Sequence, residues 1–290
     1  MISVDIILFC YNQEKYIEQA LRSIYAQVLP KDVVVRIIVA DDASSDNTNT
    51  IIKNDVPQSP FQIIFLPENN NMGISKNYKR SFAATEADYV AILEGDDYWL
   101  PNHLAQHMAF WEQHPNCSMA MNRITFMHVS ADGQEQLQPV KGSWSYPSDP
   151  YMVDIHKQIT EGNQLGNLSA CSFRGDFIRN LPAELFDLPI ADWMLGVMMA
   201  EKAPIALLAG SSSVYRYKKS GVWAGRTKWQ QHKVMLRYAN IYDKFHHGKY
   251  HAEWREFKLS RWRDVRRNYM HYLPESIQHT WRCIKNTFRR

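Results

Sequence analysis

The first hundred residues alternate between short apolar runs and stretches of helical periodicity, and few folds accept that order. Residues 4–9 (VDIILF), 33–40 (VVVRIIVA), 61–66 (FQIIFL) and 89–93 (YVAIL) are apolar and rich in β-branched side chains. Runs of this length and composition fit strands buried on both faces. Between the first two, residues 15–27 carry Ile17, Ala20, Leu21, Ile24 and Tyr25 at helical spacing. Residues 44–48 (SSDNT) have turn and N-cap chemistry that opens a helix near Thr48, and residues 73–84 read as a further helix. Strand alternating with helix predicts an α/β protein built on a mostly parallel, doubly wound central sheet.

Ligands of such sheets bind at the carboxyl ends of the strands. Those ends carry Phe9-Cys10-Tyr11, Asp41-Asp42 and Glu94-Gly95-Asp96-Asp97, which predicts five carboxylates along one rim. Hard divalent cations seek carboxylate oxygens, and Mg2+ or Mn2+ takes one or two from a protein and the rest from phosphate and water. A glycine between the acids lets backbone and ligand approach closely. The plainer reading of residues 93–99 (LEGDDYW) is a solvated turn with capping aspartates. Residues 39–48 (VADDASSDNT) have a plainer reading too, as an N-cap box, although two adjacent aspartates exceed what capping needs. A carboxylate at a strand tip can also accept the N–H of a base edge or a ribose hydroxyl.

Further along, residues 101–111 form an amphipathic helix with Leu104, Met108 and Trp111 on one face, and residues 118–129 a strand. Residues 131–164 read as loop, 168–173 as extended, 176–181 as the opening of a helical stretch, 192–200 as an apolar helix and 205–208 as a short strand. After Trp229 the chain reads as helix to its end, broken at Pro274. His246, His247 and His251 lack a partnering glutamate and read as exposed surface. Met119, Met121, Met198 and Met199 read as core.

With 290 residues, 45% of them hydrophobic and 22% charged, the composition is that of a soluble globular protein. No apolar run is long enough to span a bilayer. Cys10, Cys117, Cys171 and Cys283 are scattered, without a CxxC pair or a secretory leader, so they read as reduced thiols of a cytoplasmic protein. The net charge of +3 is unevenly spread, with acids early and cations late. Arg255, Lys258, Arg261, Arg263, Arg266, Arg267, Arg282, Lys285, Arg289 and Arg290 interleave with Trp254, Phe257, Trp262, Tyr269, Trp281 and Phe288. Such a pattern suits an anionic bilayer surface, a solvated helical face packed through its tryptophans, or a nucleic acid.

Six segments together resemble the family 2 glycosyltransferases of GT-A fold, in particular the bacterial cell-surface polysaccharide type. They are ILFCYNQEKYIEQALRSIYAQ (residues 7–27), IIVADDASSDNT (37–48), NMGISKNY (71–78), LEGDDYWLPNHL (93–104), ADWMLG (191–196) and VYRYKKSGVWAG (214–225). The resemblance implies an inverting, metal-dependent transfer of a sugar from a nucleotide diphosphate, with a UDP-sugar favoured, to a glycan or lipid-linked acceptor. It implies a donor site of Phe9, Tyr11, Asp41, Asp42, Lys76, Glu94, Asp96, Arg216 and Trp223. Tyr11 and Asp42 would hold the base, Lys76 would lie near the diphosphate, and Asp96 would carry Mn2+ or Mg2+. Asp192 would be the general base, and Arg216 and Trp223 would belong to a loop over the donor. Glu94 stands where the family's Asp-x-Asp motif begins, a change of residue but not of charge. Tyr217-Lys218-Lys219 stands where a histidine commonly follows the Tyr-Arg pair.

The expected organisation is a nucleotide-sugar half (1–110), an acceptor half of the same domain (111–228) and a basic helical extension (229–290). That extension would dock on the inner face of the plasma membrane, and no nucleic-acid partner is expected. The alternatives are a non-catalytic basic protein bound to membrane or nucleic acid, which would need neither Asp96 nor Asp192, and a nucleotidyltransferase. The latter would need a lysine- and glycine-rich loop after the first strand, where Phe9-Cys10-Tyr11-Asn12 stands instead.

Overall fold

A computed structural model describes residues 1–66, 70–130, 132–138, 148–163, 166–218, 221, 223–268, 273 and 277. It divides into two compact units, Met1–Gln158 with Asn163–Arg216, and Ile159–Gly162 with the stretch that starts at Tyr217.

In the first unit β1 (Ile2–Cys10), α1 (Ile17–Tyr25), β2 (Val33–Asp41), α2 (Thr48–Asp55), β3 (Gln62–Phe65), α3 (Ile74–Ala83) and β4 (Tyr89–Glu94) alternate as expected. β1 runs parallel to both β2 and β4, and β2 parallel to β3. The register sets Cys10 beside Asp41 and Phe9 beside Glu94, so the ends of the three strands, two of them acid-bearing, finish level. The chain continues through β5 (Tyr98–Trp99), α4 (His103–Gln113), β6 (Met119–Val129), β7 (Glu135–Gln138), β8 (Tyr151–Val153) and α5 (Ile155–Thr160). Then come β9 (Cys171–Arg174), α6 (Gly175–Arg179), α7 (Asp192–Lys202) and β10 (Ile205–Lys218). β9 pairs antiparallel with β4 and β6, and β10 antiparallel with β5 and β8. The result, among the described residues, is a mixed Rossmann-like sheet of order β3-β2-β1-β4-β9-β6-β10-β5, parallel in its first half and antiparallel in its second.

Both faces of the parallel half are covered. Val4, Ile6 and Leu8 pack with Ile17, Leu21 and Ile24 of α1 and with Leu104, Met108 and Trp111 of α4 in one continuous core. On the other face Phe9, Tyr78 and Phe82 stack at centroid distances of 4.8 to 6.4 Å.

Three local expectations change. Residues 131–164 contain β7, β8 and the short helix α5; β7 (EQLQ) is mostly exposed and has no apolar alternation to betray it. The strand expected at 205–208 runs on to Lys218 through Gly210-Ser211-Ser212-Ser213, where the hydroxyls of Ser211 and Ser212 find partners inside the fold. Ser212 meets His103 at 3.1 Å and Ser211 meets Thr125 at 2.7 Å. The extended stretch expected from 168 begins instead as a 3-10 turn, Leu168–Ala170, and becomes strand at Cys171.

The second unit contains α8 (Lys228–Phe245), opened by a reciprocal Thr227–Gln230 capping box, and α9 (His251–Arg267). Ala239, Tyr242, Trp254 and Phe257 are buried between or beside these helices. His246 is buried, contrary to expectation, and its Nδ1 lies 2.7 Å from the Tyr242 carbonyl. His247 stays exposed in the left-handed turn between the helices, and His251 pairs with Asp243 at 2.8 Å. The four core methionines are buried as expected.

One charged residue lies inside the parallel sheet. Asp5, on β1, is fully buried and accepts two bonds from Arg36 on β2 (2.8 and 2.9 Å) and the N–H groups of Glu86 and Ala87 (2.7 and 3.0 Å). Burial works against its charge, but those donors outweigh it and hold the carboxyl below its ordinary 3.8. Asp5→Ala leaves the donors unmatched and is expected to lower stability by about 3 kcal/mol in urea unfolding. Because the folded value is depressed, this contribution is present above 3.8 and is lost as pH falls through the folded value. The gap between wild type and variant should therefore close on acidification.

Candidate active site

The loops that follow β1 and β2 are sewn to each other. The chain leaves β1 through Asn12, whose φ of 52° is left-handed. Its N–H donates to Ser44 Oγ (2.9 Å), and its side-chain oxygen accepts from the Ser45 N–H (2.8 Å). Gln13 N–H donates to Thr48 Oγ1 (2.8 Å), Glu14 N–H to Asp46 (3.0 Å) and Asn47 N–H to Glu14 (3.1 Å). Asp46 and Thr48 are thus fasteners between the two loops.

The aspartate pair at the end of β2 is also engaged. Asp41 accepts from the Ser44 N–H (3.0 Å), the Ser44 hydroxyl and the Asn49 amide (2.6 Å), while its carbonyl accepts from Arg80 (2.6 Å). Asp42 accepts the N–H groups of Met72 (2.9 Å) and Gly73 (3.0 Å), so it ties down the turn that starts α3. Gly73 has φ of 79°, a conformation that suits glycine. Both aspartates are 6% exposed. Tyr11, by contrast, is 47% exposed at the end of β1, and Lys76 is exposed on the first turn of α3. Phe9 is buried in the aromatic stack with Tyr78 and Phe82.

Past β4 the three acids have unequal surroundings. Gly95 is packed so closely that a Cβ there would fall 2.5 Å from Gln13 Oε1 and 2.7 Å from Ile17 Cδ1. Asp97 is fully buried; it accepts from the Ser169 hydroxyl (2.6 Å), the Asn167 amide (3.0 Å) and the Arg216 N–H (2.9 Å). Burial and the Asp96 charge push its carboxyl up to about 7, against the pull of those donors. Glu94 and Asp96 are half-buried. Burial, then Asp97, Asp96 and Asp192, raise Glu94 well above its ordinary value, while the Asn167 amide pulls the other way. Like charges gathered at this density favour a cation among them.

Asp192 arrives from the opposite half of the unit, as the first residue of α7. It accepts from the Asn163 amide (2.9 Å) and from the Trp193 N–H (2.8 Å). The Trp193 indole donates to the Gln158 carbonyl (2.8 Å) and fixes the start of the helix. Burial raises the Asp192 carboxyl, opposed by Asn163 and the Trp193 N–H. Asp192 stands near enough to Glu94 that its charge raises that carboxyl.

Of the residues singled out in the sequence, Glu94, Asp96 and Asp192 come together with Asp97. Arg216 lies elsewhere than in a free loop. It is 2% exposed, bonded to Glu135 (2.8 Å), the Asp96 carbonyl (2.6 Å) and Gln19, with Tyr16 and Tyr98 rings against its guanidinium. Trp223 belongs to the second unit, where it is 42% exposed beside Arg226. Asn163, Asn167 and Ser169 were not singled out, and only the need of buried acids for donors points to them. Tyr215 was missed as well. Burial and the charges of Glu94, Asp97, Asp96 and Asp192 raise its phenol, which marks it as a neighbour of all four acids. Among the described residues no three His, Cys, Asp or Glu side chains form a ready metal cage. An ion held by one or two carboxylates and a diphosphate needs none, and hard oxygens are the donors it prefers.

The sequence profile described as Glycosyl transferase family 2 matches residues 5–165. The uncharacterized protein Rv1520 of Mycobacterium tuberculosis is 29% identical over 221 residues, 76% of this chain and 60% of that protein. The putative teichuronic acid biosynthesis glycosyltransferase TuaG of Bacillus subtilis is 26% identical over 125 residues, 43% of this chain and 47% of that one. S. aureus TarS 1-349, solved in complex with UDP-GlcNAc, superposes with a TM-score of 0.56 at 19% identity, over 82% of this chain and 65% of that one. The mannosyltransferase PcManGT from Pyrobaculum calidifontis, solved with GDP-Man and Mn2+, gives 0.57 at 15% identity, over 83% and 64%. The chain thus spans about 60% of the length of Rv1520, and the structural likeness is one of fold.

Proposed function

The chain belongs to glycosyl transferase family 2 and has the GT-A fold, and on that premise we propose that it moves a sugar from a nucleotide diphosphate, a UDP-sugar foremost, to a hydroxyl of a glycan or lipid-linked acceptor. We assign it to surface polysaccharide synthesis, a reading supported by the likeness to TuaG. The observation that carries the proposal is the meeting of Glu94 and Asp96, from the end of β4, with Asp192, from the start of α7.

In this reading Asp192 takes the proton from the acceptor hydroxyl as its oxygen attacks the anomeric carbon. The bond from that carbon to the diphosphate breaks on the opposite side, so a single displacement inverts the centre. Asp96 would hold Mn2+ or Mg2+, with Glu94 beside it, and the ion would supply positive charge to the leaving diphosphate. Tyr11 offers an exposed ring to the base, with Asp42 behind it, and Lys76 reaches toward the diphosphate. Asp41 and Arg216 act on the donor site by holding its walls.

The direct test is a screen of nucleotide sugars for binding and transfer with Mn2+ present. One donor should be turned over, chelator should stop the reaction, and Asp96→Ala should nearly abolish it with the melting temperature retained. Full turnover in excess chelator would take the metal out of the mechanism.

The raised Asp192 makes a second expectation. Only its ionised form accepts a proton, so kcat should fall as pH drops through a value above the ordinary 3.8. Asn163→Ala removes a bond that favours the ionised form, so the acid limb should move to higher pH. Asp192→Asn should lower kcat by about 10²- to 10⁴-fold with donor affinity kept. An acid limb indifferent to Asn163→Ala would argue against Asp192 as the base.

We also propose that the second unit docks on the cytoplasmic face of a membrane carrying anionic lipid. Trp254 and Phe257 pack internally, but Trp229, Leu259 and Trp262 are 37%, 51% and 49% exposed, with exposed Arg263, Arg266 and Arg267 on the same helix as Leu259 and Trp262. The tail cations and aromatics from Tyr269 onward lie outside the described residues. No described helix is long and apolar enough to cross a membrane. The full chain should sediment with anionic vesicles, less so as salt rises and less so for the triple variant Arg263→Glu, Arg266→Glu, Arg267→Glu. Equal sedimentation with neutral vesicles would sink the electrostatic reading.

A further inference from the structure

Asn167 lies just ahead of the 3-10 turn that leads into β9, and it is 5% exposed. Its side-chain nitrogen donates to Glu94 Oε2 at 2.8 Å and to Asp97 Oδ2 at 3.0 Å. Its side-chain oxygen accepts the Ser169 N–H at 2.8 Å, which fixes which end of the amide faces the acids. The backbone carbonyl accepts from the Cys171 thiol at 3.3 Å. The group is therefore held on its own side and spans two carboxylates on the other.

Those two acids differ in what else supports them. Asp97 keeps the Ser169 hydroxyl and the Arg216 N–H if Asn167 is removed. Among the described residues the Glu94 carboxylate accepts no other hydrogen bond, at Oε1 or at Oε2. Its backbone is pinned separately, the N–H to Ser169 Oγ at 3.0 Å and the carbonyl by the Asp97 N–H at 2.9 Å. A glutamate side chain has large rotamer freedom, roughly 1.5–2 kcal/mol of entropy when fixed. An anchor at one oxygen removes most of that freedom and leaves the second oxygen aimed where the anchor directs it.

We propose that Asn167 is a positioning residue of the donor site, which holds Glu94 through Oε2 so that Oε1 is presented to the bound nucleotide–metal complex. The inference rests on the nucleotide-sugar reading above, and it adds a residue outside every segment that suggested that reading. Only an uncharged donor of this length serves. An aspartate at 167 would set a carboxylate against two others, and an alanine would leave Glu94 untethered.

Isothermal titration with Mn2+-UDP, and in parallel with Mn2+-GDP, tests this on the full chain. Asn167→Ala is expected to weaken whichever nucleotide the wild type binds by about tenfold, the loss of one bond to a charged group. In a Glu94→Ala background the same substitution should change affinity less than about threefold, because Asn167 acts through Glu94. Asn167→Ser replaces the alanine variant if that one fails to fold. Affinity within about twofold of wild type in a folded variant overturns the inference, and so does a full tenfold loss that persists without Glu94. If neither variant folds, Asn167 is a folding residue and the inference also fails. If the wild type binds neither nucleotide with Mn2+, the donor reading falls and takes the inference with it.

Discussion

A carboxylate with no exposed surface must be met by donors, and Asp97 is met by three from distant parts of the chain. Ser169 and Asn167 come from the turn before β9, and the Arg216 N–H comes from β10. Arg216 also grips the carbonyl of Asp96 with its side chain. One buried acid thereby fixes the segment after β4 between two strands of the antiparallel half. The neighbouring acids inherit their positions from it, since they sit on the same short turn, closed by the Asp97 N–H on the Glu94 carbonyl at 2.9 Å.

The rim carries acids of two kinds. Asp41, Asp42, Asp46 and Asp97 each accept backbone or side-chain donors that give the loops their shape. Glu94, Asp96 and Asp192 are half-buried. Burial, and after it repulsion among carboxylates, raises Glu94 and Asp97, and the arrangement is tolerable because the first kind supplies a rigid frame for the second. A count of acids in the sequence overstates the carboxylate oxygens open to a ligand, since several already accept the protein's own donors.

The parallel half was legible because its strands are buried on both faces and read as unbroken apolar runs. β1, β2 and β4 lie within two residues of the expected stretches at each end. The antiparallel half was less so. β7 carries polar residues on both faces, and the serines of β10 look like a turn until His103 and Thr125 are set against them. Site acids could be seen at strand ends, but their holders could not. Asn163, Asn167 and Ser169 have no spacing or charge that separates them from loop residues. Arg216 was visible, yet its partners Gln19 and Glu135 lie far away in sequence, and its burial could not be read without them.

The stitching of the β1 and β2 loops has a consequence for how a ligand is received. Five backbone N–H groups of these loops, from Asn12, Gln13, Glu14, Ser45 and Asn47, are bound across the gap between them. Chain disorder is removed there when the protein folds, so an arriving molecule does not have to remove it again. For the donor proposed above, a frame fixed in this way would discriminate by rejecting shapes instead of accommodating them. Encounter rates there should be governed by diffusion and field and not by loop rearrangement.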